Sequence, residues 1–334
     1  REMTRQHIPG LTLGVVRDGH LVRAEGYGLA NVELDAPATP RTMFQSGSVG
    51  KQFTAALVLL LAADGRLGLD DPVAKRLPEA PAAWKGITIR HLLTHTSGIA
   101  EYTDRIDLRR DYTEDQLLRM AGERPLDFAP GARWSYSNTA YAVLGVLIHR
   151  ASGRFYGDLL RERIFEPLGM TTARIISEAD VVPGRAAGYR RVDGQLKNQE
   201  WVAPSLNTTA DGALYLSAID MARWAEGLET DVPLPLVLRT QMWTRARLAD
   251  GTPAAARDAG YGFGWFLTTR AGQPVTEHGG SWQGFQSYIG RFPDQKLTVY
   301  AFSNLAGSDP GIIARAVAAL YAPVLASASP SPAP

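Results

Sequence analysis

The residues able to do chemistry lie in three short segments. Ser48 and Lys51 stand one helical turn apart in Phe44-Gln45-Ser46-Gly47-Ser48-Val49-Gly50-Lys51-Gln52-Phe53. On a helix start they share a face and come within reach of each other. Ser48 read as an ordinary N-cap leaves Lys51 a solvated side chain. Two features favour chemistry instead. A lysine in the first turn sits at the positive end of the helix dipole, where a cation is disfavoured. The run Phe53 to Ala63 that follows is apolar on nearly every side, so the helix is buried and its lysine partly desolvated, which favours the uncharged amine. An uncharged amine beside a serine hydroxyl accepts its proton and makes it a nucleophile, and the Ser48 N–H is then one oxyanion donor.

The second segment is Trp134-Ser135-Tyr136-Ser137-Asn138, ahead of a helix over 139–151. Residues two apart in an extended stretch point the same way, so Tyr136 and Asn138 both face a cleft. Tyr136 then shuttles protons beside the Lys51 ammonium, and Asn138 bonds a substrate carbonyl and Lys51. The competing reading makes Asn138 the N-cap and Tyr136 a packing residue. The third is Val275-Thr276-Glu277-His278-Gly279-Gly280-Ser281. Glycines inside a strand mark a bulge or the close approach of another backbone. The Ser281 N–H is a candidate second oxyanion donor. His278, titrating near neutrality, is a candidate to polarise Tyr136 or to meet an anionic substrate group. A hairpin turn with a surface histidine is the alternative.

Both chain ends read as strand and the middle as helix. Leu11–Val16 and Leu21–Glu25 flank the turn pair Asp18-Gly19. Trp265–Thr269, Val275–His278, Gln286–Phe292 and Leu297–Phe302 are strand-like, and Ile312–Tyr321 carries a helical stripe. Helical patterns fall at 49–63, 88–95, 113–121, 139–151, 156–166 and 217–228. The expected architecture is α+β: an antiparallel sheet domain from 1–64 and 245–324, with helices on it, and a mostly helical domain of 65–244 inserted. Residues 325–334, with the Pro/Ala/Ser run 326–334, are expected to be a flexible tail. A cleft between the two domains is the expected site. Loops over 102–112, 188–201 and 240–261, with Trp201, Trp243, Trp265 and Trp282, are expected to shape its wall.

Composition excludes several classes. The 334 residues hold 35 basic and 34 acidic side chains, a formal charge of +1, which gives no electrostatic reason to bind nucleic acid or anionic membranes. No cysteine occurs, so thiol nucleophiles, zinc–cysteine sites and disulfides are out. The longest apolar stretch, Ala55–Ala63, is well short of the ~18–20 residues that span a bilayer. His91 and His95 are spaced like two metal ligands, but Leu92 stands where H-E-x-x-H needs its glutamate, so no metal and no cofactor is expected. No G-x-S-x-G elbow surrounds Ser48, Ser97 or Ser281. The chain begins with Arg1; removal of an export signal would make the expected location periplasmic or extracellular, and otherwise it is cytoplasmic.

Ser-x-x-Lys, Tyr-x-Asn and His-x-Gly in this order resemble the serine β-lactamase-like superfamily on its class C side, the branch of class C β-lactamases, D-alanyl-D-alanine carboxypeptidases, D-aminopeptidases and family VIII carboxylesterases. The resemblance runs from about residue 8 to 322 and includes IRHLLTHTSGI at 89–99, YSNTAYAVLG at 136–145, PLGM at 167–170 and DGALYLSAIDMARW at 211–224. It implies a β-lactamase/penicillin-binding-protein fold. It makes Ser48 the acylated nucleophile, Lys51 its base, Tyr136 the proton relay and Asn138 the amide that orients substrate. His278-Gly279-Gly280 takes the place of a Lys-Thr-Gly motif, and the Ser48 and Ser281 N–H groups make the oxyanion hole. The family's third motif uses Lys and Thr to hold a drug carboxylate, and the chain has neither there. The glutamate motif of class A β-lactamases, E-x-x-L-N, is absent too. The implied function is a serine hydrolase acting through an acyl-enzyme on a small acyl substrate or β-lactam, with esterase or D-stereospecific peptidase favoured. A class C-type β-lactamase and a non-catalytic penicillin-binding or sensing module are the alternatives.

Overall fold

The structure is a computed structural model, described here over residues 1–177, 179–256 and 259–327. Its frame is a nine-stranded antiparallel sheet whose spatial order is Ala36–Pro37, His20–Asn31, Gly10–Arg17, Leu297–Ser303, Phe285–Phe292, Gln273–Trp282, Phe266–Arg270, Ala259–Tyr261 and Ala255–Ala256. Both chain ends therefore build one sheet. Asp18 and Gly19 turn the first hairpin at φ 52° and 77°, the left-handed pair that a tight hairpin requires. Strand Gly10–Arg17 is buried on both faces up to Val16, which is why it reads as a continuous apolar run rather than an alternation. On one face Leu11, Leu13 and Val15 pack with Ala314 and Ala318 of the terminal helix Pro310–Tyr321.

The other face carries a helix the sequence places in the inserted domain. Ala218–Gly227 lies on the sheet, held by Tyr300 Oη donating to the Ala218 carbonyl and by Glu226 accepting from the Leu21 N–H. Gly14 makes room for the Tyr300 ring, since a Cβ there would stand 2.1 Å from its Cζ. The 65–244 stretch is thus not wholly separate from the sheet. Its helix Asn138–Ser152 packs on the buried helix Lys51–Ala63, and Ile89–Leu93 and Glu114–Gly122 pack in turn on Asn138–Ser152. Each fully buried Leu or Phe of that helix contributes about 1.5–3 kcal/mol, and together they anchor its polar first turn. The pattern at 156–166 resolves into Tyr156–Leu160, a π-turn Arg161–Phe165 and Glu166–Leu168, ended by Gly169 at φ 68°.

A small sheet not evident in the sequence completes the frame. Phe44–Gln45 and Arg174–Ile175 both pair with Leu214–Leu216, and the Ser46 N–H bonds the Leu214 carbonyl at 2.8 Å. These strands are only two or three residues long, too short for a periodic signal. They carry Asp211 and Gly212 up against the Ser48 turn. Of the expected tail, Leu325 is buried in the short turn Pro323–Ser327, and 328–334 lie outside the described residues.

Candidate active site

Ser48 sits in a 3-10 turn, Gly47–Gly50, that runs directly into helix Lys51–Ala63. No side chain caps this helix start, so Ser48 is not an N-cap and its hydroxyl is available. Lys51 is fully buried. An amine in that position is costly unless its bonds are satisfied, and three groups satisfy it. Nζ lies 2.8 Å from Asn138 Oδ1, 2.5 Å from the Asp211 carbonyl and 3.0 Å from Ser48 Oγ. Asn138 Oδ1 and the Asp211 carbonyl only accept, so they take two N–H bonds. The third contact is with Ser48, whose Oγ accepts from the Lys51 amine and so lies within proton-transfer distance of it.

Asn138 is free for that contact because Ser137 is the helix cap, its hydroxyl accepting from the Ala140 N–H. The reading of Asn138 as the cap is therefore wrong, and Tyr136 and Asn138 do face one cleft. The remaining first-turn N–H groups are taken by Glu101, whose carboxylate accepts from Asn138 N at 2.7 Å and Thr139 N at 3.0 Å. A carboxylate at this end also suits the helix dipole. Glu101 is a brace that sequence reasoning missed, because nothing local ties residue 101 to 138. His95 is a second one. Its Nδ1 accepts from the Ser137 N–H at 3.1 Å, so Nε2 carries the proton, and its ring packs 4.3 Å from that of Tyr136. Burial pushes the His95 pKa well down, keeping it neutral. Helix Ile89–Leu93 stops short of His95, which has φ 59°, and His91 Nδ1 accepts from the Thr88 N–H. The two histidines do not share a helix face.

The Tyr136 ring centroid is 5.0 Å from Lys51 Nζ, and its hydroxyl has no hydrogen-bond partner among the described residues. A buried hydroxyl left unpaired costs about 1–3 kcal/mol, and Tyr136 lines the same cleft as Ser48.

The third segment divides between two roles. Strand Gln273–Trp282 runs straight through the glycines, Gly279 opposite Tyr288 and Gly280 opposite Ser287. A Cβ on Gly280 would stand 2.2 Å from the Ser46 carbonyl oxygen and 3.0 Å from Ser48 N; one on Gly47, at φ 51°, would stand 2.5 Å from Ser281 N. The main-chain nitrogens of Ser48 and Ser281 thus come to one junction of touching backbones. A Cβ on Gly279 would find only the Ser287 carbonyl at 3.8 Å, so Gly279 is not needed for the fit. His278 departs from the expectation. Its Nδ1 donates to the Gly279 carbonyl at 2.6 Å, so Nε2 accepts from Tyr261 Oη at 3.1 Å. Burial pushes its pKa down to about 3. The ring is 2% exposed, neutral, and committed to Tyr261; it offers no charge to a substrate and makes no bond to Tyr136.

Ser48, Tyr136, Asn138, Asp211 and Ser281 line one cleft of about 700 Å³. Tyr102, Ile106 and Leu108 from the expected 102–112 loop, and Gln199 and Glu200 from 188–201, also line it. Of the four tryptophans Trp282 does so, whereas Trp201 is exposed outside that lining, Trp243 packs against the Arg291 guanidinium and Trp265 is fully buried.

Comparison with known proteins identifies the family and the fold. The profile of the Beta-lactamase family matches residues 1–322. A D-aminopeptidase of Gluconobacter oxydans is 31% identical over 305 residues, which cover 89% of this chain and 56% of that protein. The chain thus spans little more than half the length of that relative. Esterase EstB of Burkholderia gladioli is 31% identical over 323 residues, covering 84% of this chain and 81% of the esterase. The octameric penicillin-binding protein homologue from Pyrococcus abyssi superposes with a TM-score of 0.82 at 29% identity, covering 96% of this chain and 74% of the other. The fold is that of β-lactamases and penicillin-binding proteins, and the chain belongs to the Beta-lactamase family.

Proposed function

We propose that the protein hydrolyses ester and D-aminoacyl amide bonds through an acyl-enzyme on Ser48. The observation that carries the reading is the placement of Lys51 Nζ between Ser48 Oγ, Asn138 Oδ1 and the Asp211 carbonyl. Ser48 Oγ attacks the substrate carbonyl carbon as its proton passes to Lys51. The oxyanion rests on the Ser48 and Ser281 N–H groups. Tyr136 relays the proton to the leaving group, which departs. Water then enters, gives its proton back along the same route, and releases the acid. Metal or cofactor plays no part in these steps.

The β-lactamase alternative is disfavoured by one feature. The third motif presents neutral, buried His278 and then Gly279, so no cation or hydroxyl stands there to hold a drug carboxylate. A charge-assisted hydrogen bond is worth about 1.5–3 kcal/mol, and its loss weakens such substrates about ten- to hundredfold. A rate panel of nitrophenyl esters, D-alanyl peptides and nitrocefin tests the proposal. Esters or D-alanyl peptides turned over with the highest kcat/KM support it; nitrocefin turned over fastest reverses the order, and turnover of none favours the non-catalytic module.

A further inference from the structure

His95 carries three costs at once. Its φ of 59° is left-handed, a conformation that strains a residue bearing a side chain. Its ring is titratable yet fully buried. Its Nε2 carries the proton, because Nδ1 accepts from the Ser137 N–H, and that Nε2 has no partner among the described residues; a buried donor left unpaired is destabilising. Strain persists at a residue only where its surroundings over-determine it, and such residues cluster at working sites. The bonds around His95 do hold it. The Thr96 N–H donates to the His91 carbonyl at 2.9 Å and the Gly131 N–H to the Thr96 carbonyl at 2.8 Å, and the Thr94 and Thr96 hydroxyls bond each other at 2.9 Å.

What this conformation achieves lies on either side of Tyr136. The His95 carbonyl accepts from the Ser135 N–H at 2.9 Å, and its Nδ1 accepts from the Ser137 N–H at 3.1 Å. One residue thus grips the chain immediately before and immediately after the phenol. Its ring is also the nearest to that of Tyr136, 4.3 Å between centroids with the planes tilted by 36°. The rings of Trp134, Tyr261, Phe266 and His278 stand 6.4, 6.4, 6.5 and 6.1 Å away. The Tyr136 hydroxyl has no hydrogen bond among the described residues, so the direction of the phenol is set by ring packing and by the backbone that carries it. His95 supplies both, and it does so from behind: Tyr136 lines the cleft and His95 does not.

We infer that His95 is the positioning residue of Tyr136, a two-sided clamp that aims the phenol for proton delivery to the leaving group. The inference rests on the acyl-enzyme reading above and adds a residue to its relay step. The role needs an acceptor at the place of Nδ1, a flat group against the phenol and a backbone that accepts a left-handed φ. His95 itself touches no reacting atom.

The test uses methyl butyrate and nitrophenyl butyrate, which deliver the same acyl group to Ser48. Methoxide departs only with a proton, whereas nitrophenolate departs without one. The ratio of their kcat/KM values, nitrophenyl over methyl, therefore reads the proton relay rather than the Ser48–Lys51 turn. His95→Phe keeps a ring but offers no acceptor, and is expected to raise that ratio at least about tenfold. His95→Asn sets an amide oxygen near the place of Nδ1 and tolerates a left-handed φ, and is expected to hold the ratio within about threefold of wild type. In a Tyr136→Phe background no phenol is left to aim, so His95→Phe is expected to leave the ratio unchanged there. A ratio that His95→Phe does not move, even with both esters slowed, would make His95 a structural residue only and overturn the inference. A full effect in the Tyr136→Phe background would overturn it too, and both results leave the acyl-enzyme reading intact. Ser48→Ala that hydrolyses either ester at the wild-type rate overturns both. Should His95→Phe not fold, nitrogen NMR of histidine-labelled wild type decides. The His95 signal, identified by its loss in His95→Asn, is expected to report a proton on Nε2 and none on Nδ1. A proton on Nδ1 would leave the Ser137 N–H without its acceptor and overturn the clamp.

Discussion

The Ser48–Lys51 turn and the His278–Ser281 strand look alike in sequence, each a polar residue followed by small ones, and the fold uses them in opposite ways. At the turn the polar side chains face the cleft and each other, and Lys51 is pinned by groups from two other parts of the chain. On the strand the polar side chain is turned away: His278 is sealed against Tyr261 and Phe266, and the working parts are a missing side chain at Gly280 and a main-chain nitrogen at Ser281. The difference teaches that a motif can supply chemistry or clearance, and that burial and bonding partners decide which.

The sharpest way to break this contrast is Lys51→Ala, which removes the proposed base and is expected to lower kcat by about 10³-fold or more with KM little changed. Lys51→Arg is not expected to rescue it, since a guanidinium does not give up its proton. Near wild-type kcat in either variant would deny Lys51 its role. Next comes the pair of glycines. Gly280→Ala drives a methyl into the Ser46 carbonyl and disturbs the oxyanion junction, so kcat is expected to fall about 10²–10³-fold. Gly279→Ala meets ordinary contact distance and is expected to stay within about threefold. Equal effects would erase the division between the two residues. Tyr136→Phe is expected to cost about 10² in kcat, measured on an ester and an anilide, with the poorer leaving group suffering more.

The smallest effect belongs to His278. Replacing it with Gln is expected to change kcat by no more than about tenfold, but to alter how stability depends on pH. The native ring takes up its proton only near pH 3, whereas the unfolded one does so near 6.5. Between those values the unfolded state binds more protons, so stability falls as pH falls, by about 1.4 kcal/mol per unit at most. Above pH 6.5 the group contributes no slope. Melting temperatures at pH 4.5 and 7.5 are expected to differ less in His278→Gln than in wild type. An unchanged difference would mean that His278 is not the neutral buried ring described.

What the sequence discloses follows the same division. Ser48, Lys51, Tyr136 and Asn138 were legible because their spacing along a helix start or an extended segment is itself the geometry. The long strands and the hairpin at Asp18-Gly19 were legible from local pattern. The orientation of His278 was not, because it depends on Tyr261 across the sheet. Glu101 and His95 escaped because each acts on residues about forty positions away, and Asp211 because two- and three-residue strands deliver it to the site. Helix Ala218–Gly227 falls in the stretch expected to form the inserted domain and packs on the sheet, because an amphipathic pattern shows that a helix packs, not what it packs against.

The central claim is that Ser48 is a nucleophile made reactive by Lys51. Intact-protein mass spectrometry after timed exposure to a fluorophosphonate tests it most directly. One adduct is expected, mapped to the peptide carrying Ser48, absent in Ser48→Ala and forming at least about 10²-fold more slowly in Lys51→Ala. An adduct on another serine, or one forming equally fast without Lys51, would contradict it.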